Sequence, residues 1–387
     1  MSNAFDVNSK SAIVSAIILG TIGVLSFIVQ PGLVQGFVTE LGLNEVQANN
    51  LAFAEMVGVA IAAMVITFLS RTMNWRHLLV AALIISALGN LLSGFITSNE
   101  TLKIVRFFAG LGEGGVIGLS FTFIGLSAKP ERNLALYLAT LLSYGAIGLW
   151  VMPTAFASIG LNGIFIIWAV LTTLALMTVK HVPTGSDSRD EPSPTAAQLH
   201  IGFLAFALLG ILIYNIAIGV AWANLFLIGM SIKPDEQSIA NALLLAQFIA
   251  IPGALLAAFM SDKLGRWLPL VVGILGGAVF IWLLMVKPSY SIFIMAAGGF
   301  NFMWNMALPF ILASVNDMDK KSRMVTPAVS MQMIGLGFGP FFAGLILSEG
   351  GGFKAIEQFT AILLVISFAI LAICILAYQK KRRTDTA

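Results

Sequence analysis

The chain has 387 residues; 58% are hydrophobic, 10% are charged, and the net charge is +3. Soluble domains carry roughly 25% charged residues, and 21 basic plus 18 acidic side chains cannot cover a globule of this length. A soluble enzyme, a nucleic-acid binder and a disordered chain are excluded, and a lipid bilayer is the expected surrounding.

Long runs carry no charge: Ala12–Val29, Leu78–Ser98, Leu134–Val179 and Phe359–Tyr378. A helix needs about 20 apolar residues to cross a bilayer. The alternation over about 10 residues that marks a membrane barrel is missing, and backbone groups in lipid must pair internally, so the runs are helices. Taken in chain order, charges and turn residues bound twelve spans: 11–36, 47–69, 77–97, 103–127, 133–157, 162–180, 198–230, 238–260, 268–286, 290–315, 324–347 and 355–378. No cleavable leader pattern opens the chain, so the first span is expected to be retained.

Between spans six and seven, residues 181–197 are the one extended polar stretch, rich in Pro, Ser and Asp. This composition predicts a flexible linker. The expected organisation is a six-helix half (1–180), the linker (181–197) and a second six-helix half (198–387), an internal duplication. With twelve spans both termini share one side. That side holds 16 basic residues, the other holds Lys103, Lys233, Lys287 and Lys354, and Arg106 lies inside a span. The positive-inside rule puts both termini in the cytoplasm, with the protein in the inner cell membrane.

Only three charges lie deep in spans: Glu55, Arg106 and Glu113. A charge at mid-membrane costs about 2.5–3.5 kcal/mol and needs a partner or a watered cavity. At 1.5 Å per residue, Arg106 should lie about 5 Å inside the outer face, Glu55 about 12 Å and Glu113 about 15 Å. Arg106 and Glu113 share a helical face with about 10 Å of rise between them, too far for a simple ion pair. Glu55 is the expected partner of Arg106, either as a packing pair or as part of the mechanism. For Glu113, burial favours the neutral acid and the guanidinium favours the carboxylate; that competition describes a proton site. Glu113 and Glu55 are therefore the proton-coupling candidates.

The second half is expected to hold no buried charge. It offers Asn215, Trp222 and Asn224 on span seven, Asn301, Trp304 and Asn305 on span ten, and Gln332 on span eleven. Amides beside an indole suit an organic ligand with apolar and polar parts, while interhelical hydrogen bonding is the plainer role for any single Asn. Gln30 and Tyr144 join Arg106 and the second-half residues Asn215, Asn224, Asn301, Trp304, Asn305 and Gln332 as candidate solute contacts. No phosphate-binding G-x-x-x-x-G-K-[ST] loop is present, and the single Cys374 and three histidines form no metal cluster, so neither cofactor nor metal is expected.

Two motifs carry a resemblance. After span eight the chain has M-S-D-K-L-G-R-W, residues 260–267, and span four opens L-K-I-V-R-F-F-A-G-L-G-E-G-G. The first resembles the signature G-x-L-x-D-R-x-G-R-[RK] of the major facilitator superfamily, through Asp262, Gly265 and Arg266. The second resembles that family's fourth-helix R-x-x-x-G-x-G, and its Arg106 with Glu113 resembles the organic-anion and spinster-like branches. The resemblance implies a twelve-helix, two-half fold, alternating access, and a cavity lined by helices one, four, seven and ten. It implies a substrate-facing Arg106, a protonatable Glu113 and gating roles for Asp262, Gly265 and Arg266. The first-half copy of the turn, residues 68–77, has Arg71 where the family has Asp, so Arg71 or Arg76 is expected to find another acid. There Asn74 stands at the glycine position and is expected to take the left-handed conformation. Span five, with Tyr144, lacks the G-P-x-x-G-G of the family's drug antiporters, which favours uptake.

The expectation is a monomeric, proton-coupled secondary transporter of a small organic solute, an aromatic organic anion drawn by Arg106. Efflux of amphiphilic compounds and a non-transporting membrane receptor or scaffold remain open alternatives; an enzyme is not expected.

Overall fold

The computed structural model describes residues 6–185, 200–260, 265, 267–318 and 324–386. Among them all regular structure is helical. Backbone contacts divide the chain into two units, Met1–Asp187 and Ser188–Ala387.

In the first unit, span one is three pieces: α1 (Lys10–Ile22), α2 (Leu25–Ile28) and α3 (Gln30–Thr39). Val24 and Val29, at φ −119° and −108°, break the helix. Pro31 has no N–H to give the Phe27 carbonyl, and its ring crowds that position; the Val29 N–H bonds Phe27 instead. Next come α4 (Glu45–Leu69), α5 (Trp75–Ser93), α6 (Asn99–Gly125) and α7 (Pro130–Ala175), followed by a short 3-10 helix, Leu176–His181. Asn44 and Gln47 form a reciprocal capping box at the start of α4, with hydrogen bonds of 2.9 and 3.1 Å. Asn74 is not left-handed as expected. It sits at φ −64° and ψ 124° and accepts from the Arg76 N–H at 2.9 Å, because an Asn before a helix gains more as an N-cap. The expected loop between spans five and six is absent: both lie in α7, which turns at Gly160 alone, at φ 67° and ψ 174°. An L-residue with a side chain is strained at that φ.

Glycines set the packing of this unit. A Cβ on Gly110 or Gly114 of α6 would overlap the carbonyls of Glu55 or Val59 on α4, and one on Gly58 would overlap the Phe107 carbonyl. The α4 and α6 backbones therefore touch along this stripe, as in small-residue membrane interfaces. On the other side, a Cβ at Gly112 would overlap Ala82 and Ser86 of α5.

The second unit holds α8 (Ile201–Ile232), α9 (Glu236–Met260), α10 (Trp267–Val286), α11 (Tyr290–Asp317), α12 (Val325–Ser348) and α13 (Gly352–Thr386). Most ends fall within a few residues of those expected. The last helix runs past the apolar stretch because Gln379, Lys380, Lys381 and Arg382 are good helix formers. The two units repeat one pairing plan. The second and third helices of each pack on the fourth (α4 and α5 on α6, α9 and α10 on α11), and the first packs on the fifth and sixth.

Ten described helices are long and apolar enough to cross a bilayer. One of those stretches, Arg132–His181, holds two spans joined at Gly160, and α1–α3 supply the first. The protein is thus a twelve-span, all-helical membrane protein of two six-helix units. Its outer surface fits lipid: Phe95 and Met177 are 70% and 71% exposed.

Candidate functional site

The three deep charges converge in the first unit. Arg106 on α6 is fully buried, and Glu55 on α4 and Glu113 on α6 are each 1% exposed. Contact between the α4 and α6 backbones brings Glu55 to Arg106. Its Oε1 accepts from Arg106 Nη2, and its Oε2 accepts from Nε at 3.2 Å. Such a two-point pair matches the fork of a guanidinium. Arg106 Nη1 donates to Asn90 Oδ1 on α5 at 2.8 Å, and Ser93 Oγ lies at 3.5 Å. Asn90 Nδ2 in turn donates to Ser86 Oγ at 3.4 Å. Phe165, in the second arm of α7, lies with its ring centroid 4.8 Å from Arg106 Cζ, a cation–π contact.

Glu113 is the less tightly held acid. Its Oε1 lies 3.8 Å from Arg106 Nη2 and makes no hydrogen bond within the protein. Its Oε2 accepts from Ser26 Oγ at 2.8 Å. The expected gap of one and a half turns between Arg106 and Glu113 is therefore closed. Side chains on a helix lean toward its N-terminus, so Glu113 leans toward Arg106 and the rise between their Cα atoms overstates their separation. Glu113 does have a basic neighbour, contrary to the reading from depth.

Ser26 lies on the short α2, in the break of span one. Tyr144 Oη of α7 donates to the Leu25 carbonyl there at 3.0 Å, supporting a backbone group that the break frees. Val24, Met56, Val59 and Ile117 form a buried apolar cluster around this region, with Phe27 and Leu141 against it. Two carboxylates thus share one guanidinium in a dry setting. Charge balance is reached when one proton is added, and the oxygen without a hydrogen-bond partner is on Glu113. The arrangement can hold and release a proton.

The other candidates are spread. Gln30, buried, opens α3, and its Oε1 has no partner within the protein. In the second unit Trp222 of α8 and Trp304 of α11 stack with ring centroids 5.8 Å apart at 57°. Asn215, Asn224 and Asn301 are buried, while Asn305 and Gln332 are partly exposed. The expectation of no buried charge in this half is wrong: Glu357 of α13 is 6% exposed. That helix begins at Gly352, so Glu357 lies inside it rather than at its edge.

Of the gating candidates, Asp262 and Arg266 lie outside the described residues, and Gly265 takes φ 62°. Arg71 Cζ lies 5.7 Å from the Phe68 ring centroid. Arg76 donates to the carbonyls of Val182 and Lys180, at 2.8 and 3.1 Å, tying α5 to the chain that leaves the first unit. Asn90, Ser93 and Ser26 were missed. The signal for the first two was present: Ser86, Asn90 and Ser93, at i, i+4 and i+7, make a polar stripe on a span that otherwise seems uniformly apolar.

The sequence matches the Major Facilitator Superfamily over residues 13–326. A Bacillus subtilis (strain 168) protein, NiaP, named as a niacin/nicotinamide transporter, is 21% identical over 390 residues, covering 93% of this chain and 92% of that one. The crystal structure of a D-xylose-proton symporter superposes with a TM-score of 0.76 at 15% identity, over 93% of this chain and 96% of the other. The match to the superfamily spans most of the chain and agrees with twelve helices in two like units. This protein belongs to the major facilitator superfamily and is a membrane transporter, not an enzyme.

Proposed function

We propose that the protein is a secondary active transporter that couples a small organic solute to protons by alternating access of its two six-helix halves, joined by the linker at 181–197. The observation that carries this reading is the sharing of Arg106 by two buried carboxylates, with one oxygen of Glu113 left for a proton. One proton moving down 100 mV supplies about 2.3 kcal/mol, enough for a roughly 50-fold gradient of a neutral solute. Import is the favoured direction, and the protein works as a monomer in the cell membrane with both termini in the cytoplasm, as the 16-to-4 split of basic residues supports.

The solute has an aromatic part. Trp222 and Trp304 support this, and the relative named for niacin and nicotinamide points to ligands of that size. The anionic character expected from Arg106 has weaker support, because its guanidinium already serves Glu55 and Asn90. Proteoliposomes holding the purified protein, given a pH gradient and labelled niacin or nicotinamide, test the reading. We expect one of the two to accumulate, and a protonophore to abolish the accumulation. Uptake that merely equilibrates, or that a protonophore leaves unchanged, speaks against proton coupling.

A further inference from the structure

The second unit holds a set of amides that all face the same way chemically. Asn215 and Asn224 on α8, and Asn301 and Asn305 on α11, each turn Nδ2 back to the carbonyl four residues earlier. The partners are Ile211, Val220, Ala297 and Asn301, at 2.8, 3.0, 3.2 and 3.0 Å. A carbonyl oxygen only accepts, so the atom facing it must be the amide NH2; this fixes the orientation of each amide and leaves Oδ1 as the outward atom. For Asn215 and Asn301 that oxygen is buried without a partner in the protein. So is the Nε1–H of Trp304. Asn301 and Trp304, at i and i+3, share a face of α11, and the Trp304 ring packs on Trp222. Buried polar groups are nearly always satisfied, so three orphans on one polar surface ask for a ligand.

The surface asks for specific chemistry. It offers outward acceptors, one indole donor and two aromatic faces. Neither α8 nor α11 carries a lysine or arginine. A carboxylate brings only acceptors and a charge, and would meet Asn301 Oδ1 lone pair to lone pair. A primary carboxamide brings both complements: its NH2 to Asn301 Oδ1 and its carbonyl to the Trp304 N–H.

We propose that this face of α8 and α11 selects an uncharged aromatic carboxamide over the corresponding carboxylate. The inference rests on the proposed transport function and names its substrate class. Asn301 accepts from the ligand's amide, Trp304 donates to its carbonyl, and the Trp222–Trp304 pair holds the ring.

Binding of benzamide and benzoate to the purified full-length protein, by calorimetry at pH 8, where benzoate is fully ionised, tests this directly. Benzamide should bind at least roughly tenfold more tightly, as a site built to hydrogen-bond a group rejects its mismatch. Asn301→Leu should erase the preference. Trp304→Phe, which keeps a ring and loses the N–H, should weaken benzamide roughly tenfold or less without changing the fold, read by melting temperature. Equal or tighter benzoate binding, no benzamide binding, or benzamide affinity unchanged in both variants overturns the proposal. Binding is measured with Glu113 intact and without a membrane, so the two readings separate. Selective benzamide binding without proton movement would sink the transport coupling alone. Glu113-dependent proton movement driven by benzoate in preference would sink the amide selection alone.

Discussion

Ser26 and Glu113, 87 positions apart in the chain, are joined by a 2.8 Å hydrogen bond from hydroxyl to carboxylate. It ties the acid with the unpaired oxygen to α2, the four-residue piece between the two breaks of span one. The titrating group is thus wired to a poorly supported stretch of backbone, so a change in its charge acts first on a segment with little helical structure of its own to resist it.

That wiring predicts different outcomes for its two supports. Tyr144→Phe removes the hydroxyl that bonds the Leu25 carbonyl. A buried carbonyl left short of a donor costs about 1–3 kcal/mol, so the purified variant should melt at a lower temperature. Ser26→Ala leaves no group of its own unpaired. It should alter the pH dependence of transport more than it lowers the melting temperature. Equal effects of the two on stability would contradict this division.

The Glu55–Arg106 pair predicts a strong coupling. Arg106→Gln strands the Glu55 carboxylate in the bundle, and breaking a buried pair costs about 3–5 kcal/mol. Glu55→Gln with Arg106→Gln removes both charges and should recover much of that loss. Thermal unfolding of the four proteins in one detergent measures the coupling. An additive double variant would mean that the two side chains do not depend on each other.

Backbone contact between α4 and α6 predicts that size matters at Gly110. Gly110→Val drives a side chain into the Glu55 carbonyl and should abolish a monodisperse protein on size-exclusion chromatography. Gly125, with nothing within 4 Å of an added Cβ, serves as the control. Gly125→Ala should fold normally and gain up to about 1 kcal/mol from helix propensity.

The proposed orientation predicts a labelling pattern. Cys374 is the single cysteine and is buried, so Cys374→Ser gives a clean background. Thr101→Cys, exposed at the start of α6, should react with an impermeant maleimide on intact cells. Thr184→Cys, exposed after the 3-10 helix, should react only after lysis. The opposite pattern would invert the topology.

The spans were legible because lipid imposes a strict rule: long apolar runs are helices, and charges mark their ends. The glycines of span four, with Glu55 opposite, likewise announced the charged centre. What failed were inferences from rise along a single axis. Arg106 and Glu113 are 3.8 Å apart because side-chain lean, not Cα depth, sets where charged atoms lie. Gly160 joins two spans without a loop, since one positive φ does what a polar loop would do. Asn90 went unseen because its value lies in what it touches, and that depended on how α5 docks on α6. The amides of the second half were recognised as polar, but their donor or acceptor character required the i−4 carbonyl partners, which no spacing specifies.

The most direct test of proton coupling compares wild type with Glu113→Gln in proteoliposomes loaded with a pH-sensitive dye, using whichever of the aromatic amide or acid the wild type accumulates. Solute exchange at equal concentrations should persist in the variant while solute-driven proton movement disappears, because the glutamine keeps the shape and cannot release a proton. Proton movement at the wild-type stoichiometry in Glu113→Gln would contradict the account.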